Sequence, residues 1–291
     1  MTRLPVGGVW VYRRCCGGID REFWESLPAR RRIFRDRSLD AWVCVDLADA
    51  RGRSHFFLGS FYDPANSIVI EAWLRPGDTF VDVGASLGFH SLHASRVVGE
   101  LGRVIGFEPH PDSFALLQAH VTMNRIVNCE IHPEALGDED GDLTLSEVGS
   151  AIGTATLRTA LGAKGGRSAK VVRGDRRITL GEDGRVLIKI DVEGFEHRAL
   201  RGLGRLLERP RLALGVEITD TWLKETGSSS ASLFEEMRRL GFAAFHPVFR
   251  RRGLRRSIEL MPLAEPLPLF QYDVFFFRPD EVPDSLTVIG S

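Results

Sequence analysis

Cysteine and lysine are equally scarce in this sequence, at four residues each, and long apolar runs are missing. The cysteines are Cys15, Cys16, Cys44 and Cys129, with no C-x-x-C anywhere. An adjacent pair does not make a zinc spacing, so a cysteine-based metal module and a disulfide framework are both excluded. A reduced, cytoplasmic chain is the expectation. Lysine occurs only at 164, 170, 189 and 224 among 38 basic residues. That bias towards arginine reads as genome base composition and not as function. No segment approaches the roughly 18–20 apolar residues of a membrane span. Residues 1–10 are too short, and too broken by Pro5, Gly7 and Gly8, to form a signal-peptide core. Internal repeats are absent, and the formal net charge is −1. No global field therefore points to nucleic acid or an anionic membrane.

What is present suits a soluble protein with a large core. The chain has 291 residues, 43% of them hydrophobic. Residues 1–75 read as an N-terminal extension packing on a main domain over 76–291. In the extension, a helix is expected over 20–37, carrying Arg30, Arg31, Arg32, Arg35 and Arg37 on a solvated face. A hairpin is expected to join 42–47 to 54–58, followed by a short helix over 67–74. After Pro76-Gly77 the pattern alternates. Strands are expected over 79–83, 103–107, 129–136, 143–146, 185–190 and 212–218. Helices are expected over 88–98, 111–125, 195–207 and 232–240, the last opened by a capping box at Ser232. Strands over 242–249 and 272–277 close the chain. Such alternation predicts an α/β fold, a Rossmann-like, mostly parallel seven-stranded sheet with helices on both faces. The last two strands have no helix between them, which predicts an antiparallel C-terminal edge strand. Residues 150–176 and the arginine-rich 250–265 read as long loops.

The chemistry concentrates at Val81-Asp82-Val83-Gly84-Ala85-Ser86-Leu87-Gly88, where a strand turns into a helix. Gly84 and Gly88 allow a tight turn and close approach of a ligand to the backbone. The helix behind it offers free N–H groups and a positive dipole end. Ligands of open α/β sheets bind at the carboxyl ends of strands beside such turns. Twenty residues after Gly88, at the end of the next strand, stands Glu108, placed to accept the hydroxyls of a ribose. Asp82 separates the candidate cofactors. An acid there would repel the pyrophosphate of a dinucleotide, whereas S-adenosylmethionine carries a sulfonium and an ammonium and no phosphate. The same turn also matches the Gly-x-Ser-x-Gly nucleophile elbow of hydrolases, and Asp191 and His246 follow in triad order. That alternative lacks upstream strands and an oxyanion motif, and leaves Glu108 without a role.

Three stretches resemble the FkbM family of class I S-adenosylmethionine-dependent methyltransferases. They are Phe80-Val81-Asp82-Val83-Gly84-Ala85, Val104-Ile105-Gly106-Phe107-Glu108-Pro109, and Leu187-Ile188-Lys189-Ile190-Asp191-Val192-Glu193-Gly194-Phe195-Glu196. The resemblance covers roughly residues 76–219, and its last stretch is the most specific. It implies methyl transfer from S-adenosylmethionine to a hydroxyl, often on a sugar or polyketide-like acceptor. It would place Asp82, Gly84 and Gly88 around the methionine part, with Ala85 and Ser86 completing the turn. Glu108 would hold the ribose, and Glu134 and Ala135 would lie near the adenine. The family usually has asparagine where this chain has Ser86.

An alcohol must lose its proton as it takes the methyl group, so a base is expected. Asp191 is the first candidate for base or acceptor positioning and Glu193 the second, with Lys189 tuning or pairing with these acids. His197, His90 and His93 read as structural, and no metal is assigned. Glu217 ends the following strand and is a candidate for shaping the acceptor pocket, with Trp222 beside it. The expected partner is a small-molecule or sugar hydroxyl acceptor. A nucleic-acid methyltransferase is the rival on the same fold, kept alive by the arginine clusters. The Asn/Asp-Pro-Pro-aromatic signature of base amino methylation is absent, which disfavours it. A non-enzymatic cofactor-binding module is disfavoured by the retained acids.

Overall fold

Five parallel strands form the centre of the molecule, and their buried runs explain why. β3 (Thr79–Val83), β4 (Arg103–Phe107), β5 (Cys129–His132), β10 (Val186–Ile190) and β11 (Leu212–Ile218) pair side by side in the order β11-β10-β3-β4-β5. β10 is buried at every position, as a strand covered on both faces must be. The computed structural model describes residues 19, 21–28, 30–58, 63–147, 155–156, 167–252 and 255–289. Residues 1–18, with Cys15 and Cys16, and the glycine-rich 162–166 lie outside them, as does most of the first part, 150–166, of the loop expected over 150–176.

Helices cover both faces. α3 (Pro64–Trp73) and α4 (Phe89–Val98) lie over one, closing a core around Val69, Trp73, Phe80, Val104, Leu187 and Phe277. The other face carries α7 (Glu196–Leu203) and α9 (Ser230–Arg239), over Val81, Ile105, Ile188, Leu203 and Leu233. Successive strand residues alternate between these two cores. Each fully buried leucine, valine or phenylalanine side chain contributes about 1.5–3 kcal/mol. Two further helices matter below: α5 (Pro111–Met123) follows β4, and α8 (Asp220–Glu225) follows β11.

The sheet is larger than seven strands. Among the described residues it has nine, in the order β15-β13-β12-β14-β11-β10-β3-β4-β5. The antiparallel strand β14 (Tyr272–Phe277) does not form the edge. It is held between β11 and β12 (Ala243–Arg252). The stretch read as an arginine-rich loop is instead the hairpin of β12 with β13 (Arg255–Leu263), capped by β15 (Thr287–Val288). Ile258 and Leu260 alternate into the core there, a period that the flanking arginines mask. The expected third strand splits after His132. β6 (Ala135–Gly137) leaves for a separate sheet with β7 (Gly141–Glu147), β8 (Ala155–Thr156) and β9 (Arg167–Arg173), the last followed by a short helix, α6 (Gly174–Arg177).

The N-terminal region corrects two expectations. Only α1 (Arg21–Ser26) is helical, and β1 (Arg31–Asp36) pairs antiparallel with β2 (Ala41–Asp46). The Asp36 carboxylate accepts from the Ser38 and Leu39 N–H groups and so closes the turn that a helix would have run through. The arginines stand on this hairpin, Arg30 paired with Asp46 and Arg35 with Asp40. Residues expected to be the hairpin's second strand form α2 (Ala50–Leu58), whose His55 contacts the Asp36 carboxylate in the interior. The capping box of α9 is built from Ser229 and Ser232, three residues earlier than expected. No helix among the described residues is long and apolar enough to cross a membrane.

Candidate functional site

A cleft of about 290 Å³ opens at the carboxyl ends of β3, β4, β10 and β11. Its floor is the turn after β3. Gly84 there has φ +80°, and a Cβ on it would sit 1.9 Å from the Asp191 carbonyl oxygen. The two loops are thus packed backbone to backbone, which only glycine permits. Gly88, at φ +80°, starts α4. Ser86 also lies in the left-handed region, at φ +50°. Asparagine tolerates that conformation better than most residues, which gives a physical reason for the family's usual residue at this position. Ala85 is buried in the turn.

Glu108 enters from the end of β4. One oxygen accepts from the Ser86 N–H at 2.7 Å and the other from the His110 N–H at 2.8 Å. Each carboxylate oxygen has two acceptor sites, so one on each remains for a ligand's hydroxyls. Burial raises its carboxyl to about 7, against the pull of those two N–H groups. Continuing outward, the wall is Pro109, His110, Ser113 at the start of α5, and Leu145 of β7.

The opposite wall is acidic. Asp191 and Glu193 come from the β10–α7 junction, Glu217 from β11, Gln271 from just before β14, Asp273 from β14, Asp63 from the start of α3, and Phe249 from β12. Lys189 donates to Asp191 at 3.0 Å. Burial opposes the Asp191 charge, but the Lys189 ammonium and a hydrogen bond from Glu217 prevail and hold the carboxyl below its usual range. Burial, with Asp191 and Asp273 nearby, pushes Glu217 up to about 9. Glu217 therefore carries the proton of this carboxyl pair at neutral pH, and Asp191 carries the charge. Burial, followed by Asp63 and Asp191, raises Asp273 to about 7. Burial works against Asp63 too, yet the His90 hydrogen bond and charge outweigh it and lower that carboxyl. Asn66 bridges this side, donating to Asp63 at 2.7 Å and to Asp273 at 3.4 Å.

Asp82 is not in the wall. It is fully buried and accepts from the Ser91 hydroxyl of α4 at 2.6 Å. Period-two alternation puts it on the same face as Phe80, beneath α4, and not on the loop side. Its neighbours across the sheet are Lys189 and Gly106, and beyond Lys189 comes Gly215. The glycines leave room for Ser91 and Asn66 over this row. The Lys189 ammonium, 4% exposed, lies 4.0 Å from Asp82 and 3.0 Å from Asp191. Asp82 thus acts on the cleft at one remove, as counter-charge to the lysine that holds Asp191.

Two further expected residues stand elsewhere. Glu134 turns to Arg177 at 2.8 Å and Lys170 at 3.4 Å, and Ala135 is buried in β6. Neither lines the cleft. The chain leaves the main sheet at this point, and both residues leave with it. Glu193 does line the cleft but precedes α7, at φ +54°, so it shares no helix face with His197. His197 is locked between Ser228 and Glu236. His246 hydrogen-bonds the Asp273 carbonyl and lies outside the cleft lining, so no triad with Ser86 and Asp191 is assembled. Trp222 meets Phe270 edge to face and does not line the cleft. No group of three or more metal-ligating side chains occurs among the described residues. Sequence reading missed Asp63, Asn66, Phe249, Gln271 and Asp273, which stand in no motif and meet only through the fold.

The donor set fits an adenosyl sulfonium ligand. Six acids line the cleft, His110 is the only basic residue type there, and Glu108 keeps two free acceptor sites for a diol. A phosphate-bearing cofactor would meet the ionised Asp191 and Asp63 along the same wall.

The profile of the Methyltransferase FkbM domain matches residues 82–244. Comparison with curated proteins returns no match. Among solved structures, methyltransferase FkbM from Methylobacillus flagellatus KT is similar at 16% identity and TM-score 0.41, covering 79% of this chain and 53% of that one. Precorrin-6y C5,15-methyltransferase from Geobacter metallireducens GS-15 is similar at 15% identity and TM-score 0.40, over 74% of this chain and 87% of that one. A Streptococcus mutans protein solved in complex with SAH is similar at 10% identity and TM-score 0.41, over 75% of this chain and 98% of that one.

Proposed function

The chain belongs to the FkbM family of S-adenosylmethionine-dependent methyltransferases, and from that premise we propose that it methylates a hydroxyl of a small molecule or glycan. When bound, the cofactor supplies an electrophilic methyl on sulfur. Everything else falls to the protein. Glu108 holds the ribose hydroxyls, with Gly84, Ala85, Ser86 and Gly88 forming the turn under the ligand. Asp191, flanked by Glu193, takes the acceptor's hydroxyl proton as the new C–O bond forms. Lys189 keeps Asp191 ionised and aimed, with Asp82 buried behind it. Protonated Glu217 donates to Asp191.

One observation carries this reading. The only carboxylate paired to a buried ammonium in the cleft, Asp191, stands across the Gly84 turn from Glu108. Base and nucleoside-diol acceptor therefore share one hollow. Holding the acceptor oxygen close and in line can supply several kcal/mol of the barrier, and a positioned base a further 10²–10⁴-fold or so. Calorimetry with S-adenosylhomocysteine, then a screen of hydroxylated acceptors against radiolabelled cofactor, tests the reading. Methylated products that survive mild base as ethers are expected. Methyl esters, or methylated nucleobases only, would count against it.

A further inference from the structure

Beside the Gly84 turn lies a second, smaller hollow of about 30 Å³. It shares Gly84, Ser86 and Asp191 with the cleft, so the two meet at the turn. Asp49, just ahead of α2, and His55, within it, also line the hollow, together with His90 and Lys189. Asp49 and His55 precede residue 82, where the match to the family domain begins.

His55 is the informative residue. Its side chain is buried, and its Nε2 contacts the Asp36 carboxylate. Burial opposes the charge on Asp36, but hydrogen bonds from His55, Ser38 and the Leu39 N–H hold its carboxyl down at about 2. An ionised carboxylate only accepts, so Nε2 is the donor in that pair. In the neutral ring Nδ1 then keeps its lone pair and is an acceptor. That nitrogen is buried and has no hydrogen-bond partner among the described residues. Buried polar atoms are nearly always paired, so the exception asks for a donor. The ring is not free to turn and find one. Phe34 and Phe89 meet it edge to face, at 5.4 and 4.9 Å between ring centres. The cations of the hollow face acids instead, Lys189 with Asp191 and Asp82, and His90 with Asp63.

The surroundings specify the charge of the donor. Asp49 and Asp191 bring two carboxylates to the same hollow. Asp49 accepts from the Gly52 N–H at 2.7 Å, and a carboxylate has further acceptor sites beyond that one. An anion would be repelled here and a cation favoured. The volume matches one water's share of the liquid, about 30 Å³. An ammonium group has that size, and a ribose or an adenine does not.

We propose that this hollow receives the α-ammonium group of the cofactor's methionine part, accepted by His55 Nδ1 and the Asp49 carboxylate. The proposal rests on the cofactor reading given above. With the ribose on Glu108 and the sulfur facing Asp191, the amino-acid end passes over the Gly84 turn into the hollow. Asp36 is then a positioning residue that fixes the tautomer and the angle of His55. The β1–β2 hairpin and α2 thereby become part of the cofactor site.

Calorimetry on the full chain tests this with S-adenosylhomocysteine, its deaminated analogue and its decarboxylated analogue. On the parent, loss of the amino group should weaken binding about tenfold or more, the worth of a charged hydrogen bond. In His55→Gln, S-adenosylhomocysteine should weaken by about as much, while the deaminated analogue stays within about twofold of its affinity for the parent. A merely structural role for His55 would weaken every ligand alike. Asp49→Asn keeps an oxygen for the Gly52 N–H and should show the same selectivity, so it decides the question where His55→Gln does not fold. Nitrogen NMR on isotope-labelled parent needs no substitution. The His55 Nδ1 signal should move when S-adenosylhomocysteine binds and stay when the deaminated analogue binds. Equal weakening of complete and deaminated ligand in the variants overturns the proposal. So does selectivity for the carboxylate in place of the amino group. A parent that binds none of these ligands rejects the cofactor reading itself, whereas a parent that binds them all equally rejects only the role of this hollow.

Discussion

The two walls of the cleft hold their acids by different means. On the β3–β4 side, Glu108 is gripped by two backbone N–H groups, from Ser86 and His110. On the β10–β14 side, Asp191, Glu217, Asp273 and Asp63 are partnered by side chains: Lys189, Gln271, Asn66 and His90. A backbone grip is set by the turn itself and tolerates little change of sequence. A side-chain grip can be rebuilt residue by residue without disturbing the sheet. The first suits a cofactor that stays the same, the second an acceptor that differs from one relative to another.

The sharpest way to break the first wall is Gly84→Ala. The new Cβ would need the space of the Asp191 carbonyl, at a backbone conformation that alanine resists. S-adenosylhomocysteine affinity should fall by about 100-fold or more, read by calorimetry on protein whose circular dichroism is retained. Paired substitutions then separate the walls. Asp191→Asn should lower kcat by about 10²–10⁴ with little change in S-adenosylhomocysteine affinity. Glu108→Gln should weaken that affinity by about ten- to a hundredfold, the worth of charged hydrogen bonds, and change the acceptor KM far less. Equal effects of both variants on cofactor affinity would erase the distinction.

Acid-base titration gives a smaller effect. Glu108 and Glu196 are each raised by burial from 4.5 to about 7. Between those values the folded protein binds more protons than the unfolded chain, so stability is full below about 4.5 and declines as pH rises towards 7. Their contribution to the stability of the ligand-free protein should therefore shrink over that window, while His93, His120 and His132, whose charged forms burial disfavours, contribute in the opposite direction. Glu196→Gln, which keeps an oxygen for the Gly194 N–H, should flatten the decline. A Glu196→Gln variant whose melting temperature follows pH just as the parent's does would contradict the Glu196 assignment. The smallest expected change is Ser86→Asn. Relief of a left-handed serine should stabilise the protein by about 0.5–1 kcal/mol, measured by urea denaturation, with cofactor affinity kept.

The first wall was legible in sequence for the reason that makes it rigid. Its strand, turn, helix and following acid are contiguous, so Gly84, Gly88 and Glu108 can be placed by spacing alone. Asp82 shows the limit of spacing. It sits correctly in the motif, yet strand alternation sends it under α4 to Ser91, and only the pairing with Lys189 on β10 reveals its use. Glu134 and Ala135 stand away from this cleft because the chain leaves the sheet after His132, a departure no local pattern marks. The second wall gathers positions 63, 191, 217, 249 and 273 through strand order. The placement of β14 inside the sheet brings Asp273 beside Glu217, and a strand expected at the edge gives no hint of that contact. The β12–β13 hairpin was hidden for a related reason, since its arginine runs resemble a solvated loop until the register is known.

A crystal structure with S-adenosylhomocysteine soaked in would test the central claim most directly. The account predicts both ribose hydroxyls within about 2.5–3.0 Å of the two Glu108 carboxylate oxygens, the sulfur facing Asp191, and the Ser86 and His110 N–H contacts intact. An adenosyl group bound elsewhere, or a Glu108 carboxylate that contacts only Ser86 and His110 while the cleft holds ligand, would contradict it.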